Sequence, residues 1–410
     1  MIAPVGLSGK ASDIRKIFYI SYDGLLDPLG QSQILPIVTG IADSKTDVHL
    51  ITFEKPERWA QTQERYLTAA QLTTHNISWI PLRYHKRLSL LATLWDLLRL
   101  GLVLLKFAIR GEIDLIHCRS YPPTLVALCF KKLFRIRYIF DMRALYCDER
   151  VDSGLWMASS ISYRIAKFCE RKMLVNAHKI VTLTEASIPV IQEIAHQDKT
   201  LSPIVIPTTV PLDKFVPRFE IGHDFPVLAY FGSYGGGYLI EEIIKFGLVF
   251  LKEIHNSKLL FLINNMNSHL ITDTFDRLTG NSNLERNRVE VDSVPYVDIP
   301  NRLSGALATI SFVNPTPSRV AMAPTKVSES LSLGMPVIVN AGIGDLVEIV
   351  NSSKVGIVSS PFSRNNWTTD VHSIYTLGTS KECRIRCRKV AETLFSADSA
   401  VNRYLELYNS

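Results

Sequence analysis

The sequence lacks the residue patterns by which proteins usually hold metal ions. Its 410 residues contain no Asp-x-Asp pair, no Cys-x2-Cys pair and no His or Cys cluster at metal-ligand spacing. The six cysteines also lack the spacing of a disulfide framework, so reduced thiols in a cytoplasmic protein are expected. The sequence therefore predicts chemistry without a bound metal.

Targeting and nucleic-acid-binding patterns are missing as well. The N-terminus has no basic, apolar and small-residue order like that of a secretory signal, and residues 1–13 are expected to form a loose lead-in. Zinc-binding spacing, RNA-binding aromatic motifs and basic–aromatic tracts do not occur. These absences argue against nucleic acid as a partner.

What the sequence does have is an uneven distribution of charge. Residues 1–210 carry 26 Lys and Arg against 19 Asp and Glu, a net charge of +7. The other 200 residues carry 19 against 20, a net charge of −1. With nucleic acid disfavoured, the basic half is expected to meet a phosphorylated acceptor or an anionic membrane surface.

Short apolar runs that suit buried parallel strands alternate with helical segments along the chain. The strands predicted for the first half are 17–20, 48–53, 114–118, 138–141, 180–183 and 204–207. The pattern then starts again, with predicted strands at 227–232, 259–263, 308–312 and 337–339. This alternation predicts an α/β protein with a doubly wound parallel sheet in each half.

A chain of this length is too long for one ordinary core. The predicted bounds are 14–212 for a first Rossmann-like domain, 220–380 for a second, and 381–410 for closing helices. Proline-rich residues around 207–225 are the expected linker. In the first domain, residues 23–33 are predicted to be a loop that precedes a helix at 34–41.

The segment 88–110 is apolar enough to be mistaken for a membrane span, but it contains charged residues. Asp96, Arg99, Lys106 and Arg110 fall on one face at a period of 3.6 residues. One interpretation is a helix packed on the sheet. The other is a partial contact with the membrane surface, helped by Trp95 and by nearby basic residues. Those basic residues are Arg83, Lys86, Arg87, Lys131, Lys132, Arg135 and Arg137.

The most informative stretch runs from 319 to 345. Glu329 is expected to open a short helical segment, which Gly334 ends and Pro336 prevents from continuing. A short apolar strand and a glycine-rich loop follow. A carboxylate at a helix edge, beside such a loop, can hold a ribose and leave room for phosphates.

This stretch resembles the sugar-nucleotide donor site of GT-B glycosyltransferases, family 4 in particular. In that family the second glutamate of a Glu-x7-Glu motif binds the ribose, and Gly-x-Pro-Val follows it. Glu329, Gly334, Pro336 and Val337 match this motif, whereas the position of the first glutamate is Ala321. The resemblance covers nearly the whole chain and implies two Rossmann-like domains that face each other across a cleft.

A second match follows a predicted strand of the first domain. Asp141, Arg143 and the run Asp148, Glu149 and Arg150 resemble a family pattern of Asp-x-Arg followed by Asp-Glu-Arg. Strand ends in doubly wound sheets point into the ligand crevice, so these charges are expected in a wet site. The resemblance places Asp141 beside the acceptor. The run at 148–150 could instead be a structural ion-pair cluster.

The phosphates of the donor are expected to meet different groups from those of most relatives. Where relatives usually place an Arg and a Lys, this chain has Ser233 and Tyr238. Glycines in that loop let backbone N–H groups approach an anion but bring no charge. Lys326 and Arg319 are the nearest candidates to supply the charge, and the alternative for either is a surface cation.

The loop after the first strand is a further candidate. Gly30, Gln31 and Ser32 are expected to present free backbone N–H groups to the donor phosphates and the acceptor, as the corresponding loop does in the family. The alternative is an ordinary turn between a strand and a helix.

Taken together, the motifs resemble those of a retaining, metal-independent GT-B glycosyltransferase that needs no cofactor. Such an enzyme moves a sugar from a nucleotide diphosphate sugar to an acceptor hydroxyl, here of a glycan or lipid-linked glycan. Asp141 and Arg143 are the predicted catalytic residues. The predicted donor-binding residues are Glu329, Lys326, Arg319, Thr325, Gly232, Ser233 and Gly344.

Two other interpretations stay open. The departures at Ala321, Ser233 and Tyr238 fit a catalytically weak protein that binds nucleotide sugars or glycans. A nucleotide-sugar 2-epimerase shares the fold, but it needs acid–base carboxylates and histidines that this sequence does not pair. A cytoplasmic location is expected, with peripheral contact at the inner face of the membrane as its extension.

Overall fold

The computed structural model describes residues 16–44, 46–85, 89–196, 201–219, 225–263, 268–280 and 286–410. The predicted lead-in at 1–13 and the basic residues Lys86 and Arg87 lie outside these ranges.

The first part of the chain forms a seven-stranded parallel sheet. Its strands are β1 (Lys16–Ser21), β2 (Asp47–Glu54), β3 (Ser78–Arg83), β4 (Leu115–Arg119), β5 (Arg137–Asp141), β6 (Lys179–Thr182) and β7 (Ile204–Val205). They are arranged in the order β3-β2-β1-β4-β5-β6-β7. The strand order reverses between β1 and β4, and in such sheets ligands bind at the carboxyl ends of the strands near this point.

Helices connect these strands. They are α1 (Pro28–Gln33), α2 (Leu35–Asp43), α3 (Pro56–Trp59), α4 (Thr62–Thr74), α5 (Ser89–Ala108), α6 (Tyr121–Phe134), α7 (Tyr146–Asp152), α8 (Ile161–Asn176) and α9 (Ile188–Ile194). The predicted helix at 34–41 is confirmed as α2. The predicted loop at 23–33 is partly wrong, because Pro28 starts α1 within it; the fixed φ of proline suits a first helical turn.

The second part of the chain forms a six-stranded parallel sheet in the order β10-β9-β8-β11-β12-β13. Its strands are β8 (Val227–Gly232), β9 (Lys258–Ile263), β10 (Val289–Asp292), β11 (Ala308–Ser311), β12 (Val337–Val339) and β13 (Gly356–Val358). Its helices are α10 (Ile240–Glu253), α11 (Ser268–Thr279), α12 (Ile299–Leu303), α13 (Thr325–Ser332), α14 (Leu346–Ser353), α15 (Trp367–Thr379), α16 (Lys381–Leu394) and α17 (Ala397–Asn409).

This second sheet has a separate apolar core on each face, since successive side chains of a strand point to opposite sides. Along β8, Val227, Ala229 and Phe231 pack with residues of α13 and α16. Leu228 and Tyr230 pack on the other face with residues of α10 and α15. A strand covered on both faces has an unbroken apolar sequence, which explains why the pattern predicted it.

All ten predicted strands are confirmed, with bounds that differ by at most two residues. Three strands were not predicted: β3, β10 and β13. Each lies at the edge of its sheet and is only partly buried. Each departs from the pattern of a buried strand in its own way: β10 carries two acidic residues, a proline interrupts β3, and β13 is only 3 residues long.

Contacts between Cα atoms divide the chain into two compact units. One holds the residues up to Asp141 together with 169–180 and 400–410, and the other holds 142–168 and 181–399. The predicted bounds at 212, 220 and 380 follow the strand pattern, whereas these units follow contact density. The domain bounds therefore stay a prediction.

Helix α5 corresponds to the predicted helix at 88–110, and its charges do not all face solvent. Asp96 is buried and accepts hydrogen bonds from Tyr22 Oη at 3.2 Å and from the backbone N–H of His85 at 3.1 Å. The ring Nδ1 of His85 lies 2.6 Å from the same carboxylate. No helix in the described ranges is both long and apolar enough to span a bilayer.

Candidate functional site

Glu329 lies in the middle of α13, and the side chains around it on this helix are buried. The prediction that it opens the helix is wrong, because α13 begins at Thr325. Its carboxylate accepts a hydrogen bond from Tyr296 Oη at 2.8 Å, and no second donor from the described residues reaches it. Burial raises the pKa of Glu329 to about 7, although this hydrogen bond and the charge of Lys326 act in the opposite direction.

The predicted end of this helix is confirmed. Gly334 has a φ of +73°, in the left-handed region that glycine adopts without strain. The strand β12 follows at once and is completely buried. The carboxylate of Glu329 is therefore held on a rigid element between a fixed helix end and the sheet.

Lys326 lies one helical turn before Glu329 and is only 8% exposed. Its Nζ lies 3.2 Å from the centre of the Tyr238 ring and 5.3 Å from the centre of the Tyr230 ring. Within the described ranges, no carboxylate forms an ion pair with this ammonium and no acceptor reaches it for a hydrogen bond. Burial lowers the pKa of Lys326 to about 7, and the charge of Glu329 offsets part of that effect.

The glycine-rich loop after β8 leaves room for this lysine. Gly232 has a φ of +120°, and a Cβ atom at that position would collide with the Lys326 side chain. The three glycines at 235–237 also have positive φ values. Ser233, a predicted donor contact, is exposed, and its carbonyl accepts a hydrogen bond from Tyr230 Oη at 2.7 Å.

Arg319 lies in a short 3-10 helix, Pro317–Ala321, and its guanidinium forms an ion pair with Glu149 at 3.3 Å. It also donates to the Gly236 carbonyl at 3.5 Å, and a Cβ atom at Gly237 would lie 2.7 Å from the same nitrogen. Burial raises the pKa of Glu149, whereas the charge of Arg319 lowers it. Because the Arg319 side chain is 20% exposed and paired, it is not an isolated surface cation.

Side chains from three other segments hold the backbone around Arg319, between Ser318 and the start of α13. Each makes one hydrogen bond to it: Ser318 N–H donates to Asp152 at 2.9 Å, Thr184 Oγ1 to the Val320 carbonyl at 2.6 Å, and Thr208 Oγ1 to the Ala323 carbonyl at 3.1 Å. Thr325, a predicted donor contact, begins α13 directly after this segment and is half-buried. The segment is therefore fixed before any ligand binds.

Gly344, the last predicted donor residue, closes against the same segment. Its N–H donates to the Arg319 carbonyl at 2.9 Å, and a Cβ atom there would collide with the neighbouring backbone. The adjacent Asp345 accepts hydrogen bonds from the N–H groups of Glu185 at 2.8 Å and Ala186 at 2.9 Å. The glycine is needed for this close approach.

Asp141 ends β5, and its side chain has no exposed surface. Tyr404 Oη donates to its carboxylate at 3.0 Å, and His117 Nε2 lies 3.6 Å from the same oxygen. His117 Nδ1 in turn lies 2.6 Å from Tyr408 Oη. Asp141 thus belongs to a buried network with α17, and an acceptor contact, which stays a prediction, requires this carboxylate to become accessible.

The charged residues after Asp141 do not form one group. Arg143 is half-buried and has a φ of +46°, a conformation uncommon for a residue with a side chain. Asp148 accepts a hydrogen bond from Tyr163 Oη at 2.7 Å and pairs with Lys167 at 3.0 Å. Glu149 pairs instead with Arg319, in the stretch 317–332 that carries the predicted donor-binding residues Arg319, Thr325, Lys326 and Glu329 and is called the donor segment below. The sequence did not suggest this contact.

The predicted phosphate or acceptor loop at 30–32 lies inside α1. The N–H of Gln31 donates to the Asp27 carbonyl at 3.0 Å, so the prediction that it is free is wrong. Gly30 packs so closely against the backbone of Gly24 that a Cβ atom would collide with it. The assignment of Gly30 and Gln31 to phosphate or acceptor binding stays a prediction.

A buried glutamate that the sequence did not single out fixes the turn before α1. Glu54 accepts hydrogen bonds from the N–H groups of Leu25 at 2.7 Å and Leu26 at 3.1 Å, and from Thr52 Oγ1 at 2.6 Å. Burial raises the pKa of Glu54, although these hydrogen bonds lower it. The sequence did offer one signal for this role, because Glu54 is an acidic residue directly after the apolar run of β2.

Part of the first half matches a known family. Residues 31–188 match the family model described as the glycosyl transferase 4-like domain. No curated protein sequence matches the chain significantly.

Solved structures share the fold over nearly the full length. A glycosyltransferase from Rickettsia africae matches 97% of this chain and 98% of its own, with 15% identity and a TM-score of 0.69. Sucrose-phosphate synthase from Thermosynechococcus elongatus matches 96% and 98%, with 15% identity and a TM-score of 0.69. The Anabaena protein HepE in complex with UDP matches 95% and 98%, with 12% identity and a TM-score of 0.67, and it has also been solved with UDP-glucose. At these identities the likeness establishes the fold, and the predicted GT-B fold is confirmed.

Proposed function

We propose that the protein is a retaining glycosyltransferase that moves a sugar from a nucleoside diphosphate sugar to an acceptor hydroxyl without a metal ion. The observation that carries this proposal is the placement of Lys326 and Glu329 one turn apart on a buried, rigid helix. An ammonium without an anionic partner and a carboxylate with an available oxygen suit a phosphate and a ribose, respectively. The family match at 31–188 and the UDP complexes of a structural relative support the same ligand class.

Each group then has a task in the transfer. Lys326 and Arg319 stabilise the negative charge that develops on the leaving diphosphate, helped by backbone N–H groups of the glycine-rich loop. Glu329 accepts hydrogen bonds from the ribose hydroxyls. The leaving diphosphate itself takes the acceptor proton as the new bond forms on the same face of the sugar, which gives retention.

The acceptor side lies in the first half of the chain. Asp141 and Arg143 help to position the attacking hydroxyl, and the turn that Glu54 fixes presents Gly30 and Gln31. The acceptor is a glycan or a lipid-linked glycan. No cofactor takes part other than the donor itself.

The exposed face of α5 supports a membrane-associated acceptor. Its apolar residues recur at helical spacing and are each more than half exposed: Leu91, Leu94, Trp95, Leu98 and Leu102. The helix packs against α6, whose end exposes Leu133 and Phe134 between the basic residues Lys132 and Arg135. An apolar stripe beside cations suits the surface of an anionic membrane, so we place the protein at the inner, cytoplasmic face.

A panel of nucleotides tests the donor assignment. A nucleoside diphosphate or a nucleoside diphosphate sugar should bind the wild-type protein and raise its melting temperature by mass action. The same ligand should change the melting temperature of Glu329→Ala little. Loss of the ribose contact should weaken donor binding by roughly 1–3 kcal/mol. A panel without any hit, or equal affinity in a folded Glu329→Ala protein, would contradict the assignment.

Donor turnover separates a transferase from a protein that only binds its ligand. Glycosyltransferases release nucleoside diphosphate slowly when water replaces the acceptor, and we expect such release from the donor that the panel identifies. Binding without any release would favour the catalytically weak nucleotide-sugar or glycan-binding protein, for which the residues Ala321, Ser233 and Tyr238 argue. Conversion of the donor to its 2-epimer would favour the epimerase.

A further inference from the structure

The ammonium of Lys326 lies against two aromatic rings and, within the described residues, forms no ion pair. Its nearest ring is that of Tyr238, whose centre lies 3.2 Å away, and Tyr230 lies beyond at 5.3 Å. The two rings meet edge to face, with their centres 6.0 Å apart. The negative face of an aromatic ring attracts a cation, so the tyrosines hold a charge that the surrounding apolar core would otherwise disfavour.

The backbone fixes Tyr238 at the end of the glycine-rich loop. Its N–H donates to the Gly235 carbonyl at 3.2 Å, and the residue forms a β-bridge with Val313. At the start of the loop, Tyr230 Oη holds the Ser233 carbonyl. The loop is therefore anchored at both ends, and the position of the Tyr238 ring depends on the backbone rather than on the lysine.

We propose that Tyr238 is a positioning residue for diphosphate recognition: its ring holds the Lys326 ammonium in place, so that one cation on an aromatic support binds the donor phosphates. This inference rests on the proposed function and adds to it the residue on which the strength of phosphate binding depends. A tyrosine brings no charge to the diphosphate, and burial raises the pKa of Tyr238 to about 12, so the ring stays neutral.

Donor binding should then be coupled to proton uptake near neutral pH. The pKa of Lys326 is about 7 in the donor-free protein, so most of the population lacks the charge at pH 8. A bound diphosphate favours the charged form of Lys326, so this group gains a proton on binding. Glu329, whose pKa is also about 7, is present in wild type and in a Lys326→Arg variant alike, so the difference between the two proteins reports the lysine. The other charged groups that act on this site are Glu329, which raises the Lys326 pKa, and Arg319, which acts on Tyr238.

Four variants test this role. Tyr238→Phe keeps the ring, whereas Tyr238→Leu keeps an apolar side chain and removes the π face. Tyr234→Leu is the matched control, because Tyr234 lies in the same loop but is not one of the two rings that hold the Lys326 ammonium. Lys326→Arg keeps a positive charge throughout the pH range. Calorimetric titration of the wild-type protein with UDP, GDP and ADP at pH 6 and pH 8 identifies the nucleotide that binds most tightly. The affinity of each variant for that nucleotide is then measured at both pH values.

We expect Tyr238→Phe and Tyr234→Leu to bind within about twofold of wild type, and Tyr238→Leu to bind about tenfold more weakly. Wild-type affinity should fall between pH 6 and pH 8, with an apparent enthalpy that depends on the ionisation enthalpy of the buffer. The affinity of the Lys326→Arg protein should fall less over the same pH range. Equal affinities of Tyr238→Leu and Tyr238→Phe would overturn the inference while leaving the proposed function intact. If wild type binds none of the three nucleotides at either pH, the proposed function itself fails.

Discussion

Two residues of the donor segment, Lys326 and Glu329, are buried where an ionised side chain lowers the stability of the fold. Glu329 and Lys326 are both buried, and for both the ionised form is disfavoured by burial, so their pKa values meet near 7. Neither forms an ion pair with the other at 4.0 Å or less, as far as the described residues go. Buried charges without such compensation are more common at binding sites than in structural cores, because a ligand can supply the missing partner.

Glu329→Gln should make the donor-free protein more stable at high pH. The folded pKa of about 7 lies above the ordinary value of 4.5, so the favourable contribution of Glu329 is complete below pH 4.5 and is lost as the pH rises through 7. Glutamine keeps the shape and can still accept from Tyr296. Relative to wild type, the unfolding free energy of the variant should therefore rise by on the order of 3 kcal/mol between pH 5 and pH 8.

Urea denaturation at the two pH values measures this difference. Glu57→Gln is the matched control, since Glu57 is an exposed carboxylate on α3, and its effect should be the same at both pH values. The same Glu329→Gln protein should bind the donor more weakly. A pH-independent difference from wild type would contradict the claim that burial disfavours the ionised form of Glu329.

Asp141 is buried with Tyr404, and two variants separate its structural contribution from its predicted role in transfer. Tyr404→Phe removes the hydrogen bond but keeps the carboxylate, whereas Asp141→Asn removes the charge. Each should lower the unfolding free energy by about 1 kcal/mol. We expect only Asp141→Asn to lower kcat, by at least about tenfold, with donor affinity unchanged. Equal kcat values in the two variants would leave Asp141 with a structural role alone.

At the scale of secondary-structure elements, α5 shows what a helical period can and cannot predict. The period correctly grouped Asp96, Arg99 and Lys106 on one side, but it could not tell which side faces the protein. Asp96 is buried because Tyr22 and the backbone of His85 donate to it, contacts from residues more than ten positions away. Leu100 and Leu104 are buried on the same side as Asp96, whereas the apolar stripe from Leu91 to Leu102 is exposed.

The exposed apolar face of α5 should bind anionic vesicles. In co-sedimentation, the bound fraction should rise with the share of anionic lipid and fall with salt, because the cations around the helix act through screened attraction. Replacing Leu94 and Leu98 together by Glu should abolish this binding. Leu67→Glu on α4 is the matched control, because Leu67 is as exposed as Leu94 but lies outside the stripe. Equal binding to neutral and anionic vesicles would contradict the membrane contact.

The same distinction between local and distant contacts explains how far the sequence predicts the site. Local patterns predicted that a helix ends at Gly334 and that the strand β12 follows it, and both predictions are confirmed. The partners of the charged residues are different: Tyr296 for Glu329 and Glu149 for Arg319 come from distant positions in the chain. A sequence pattern identifies a charged residue, but only the fold decides which residue contacts it.

For the whole molecule, the proposed transfer raises the question of how the charge of its diphosphate leaving group is balanced. The sequence has no Asp-x-Asp pair, and in the described ranges no group of three His, Cys, Asp or Glu side chains could hold a metal ion. Lys326 and Arg319 lie on the donor segment, which is held in place before any ligand binds. Cations that are fixed in this way can stabilise the leaving group without reorganisation.

Transfer should therefore proceed without a divalent ion. After dialysis against EDTA, with removal of metal verified by elemental analysis, turnover of the donor should stay within about twofold of the untreated protein. Lys326→Ala should lower kcat strongly in the same buffer. The substitution removes a cation that balances the diphosphate charge in place of a metal ion. Addition of magnesium or manganese should restore little of that loss. If chelation abolishes turnover and either metal restores it, the diphosphate charge is balanced by a bound ion, and the role assigned to Lys326 and Arg319 is wrong.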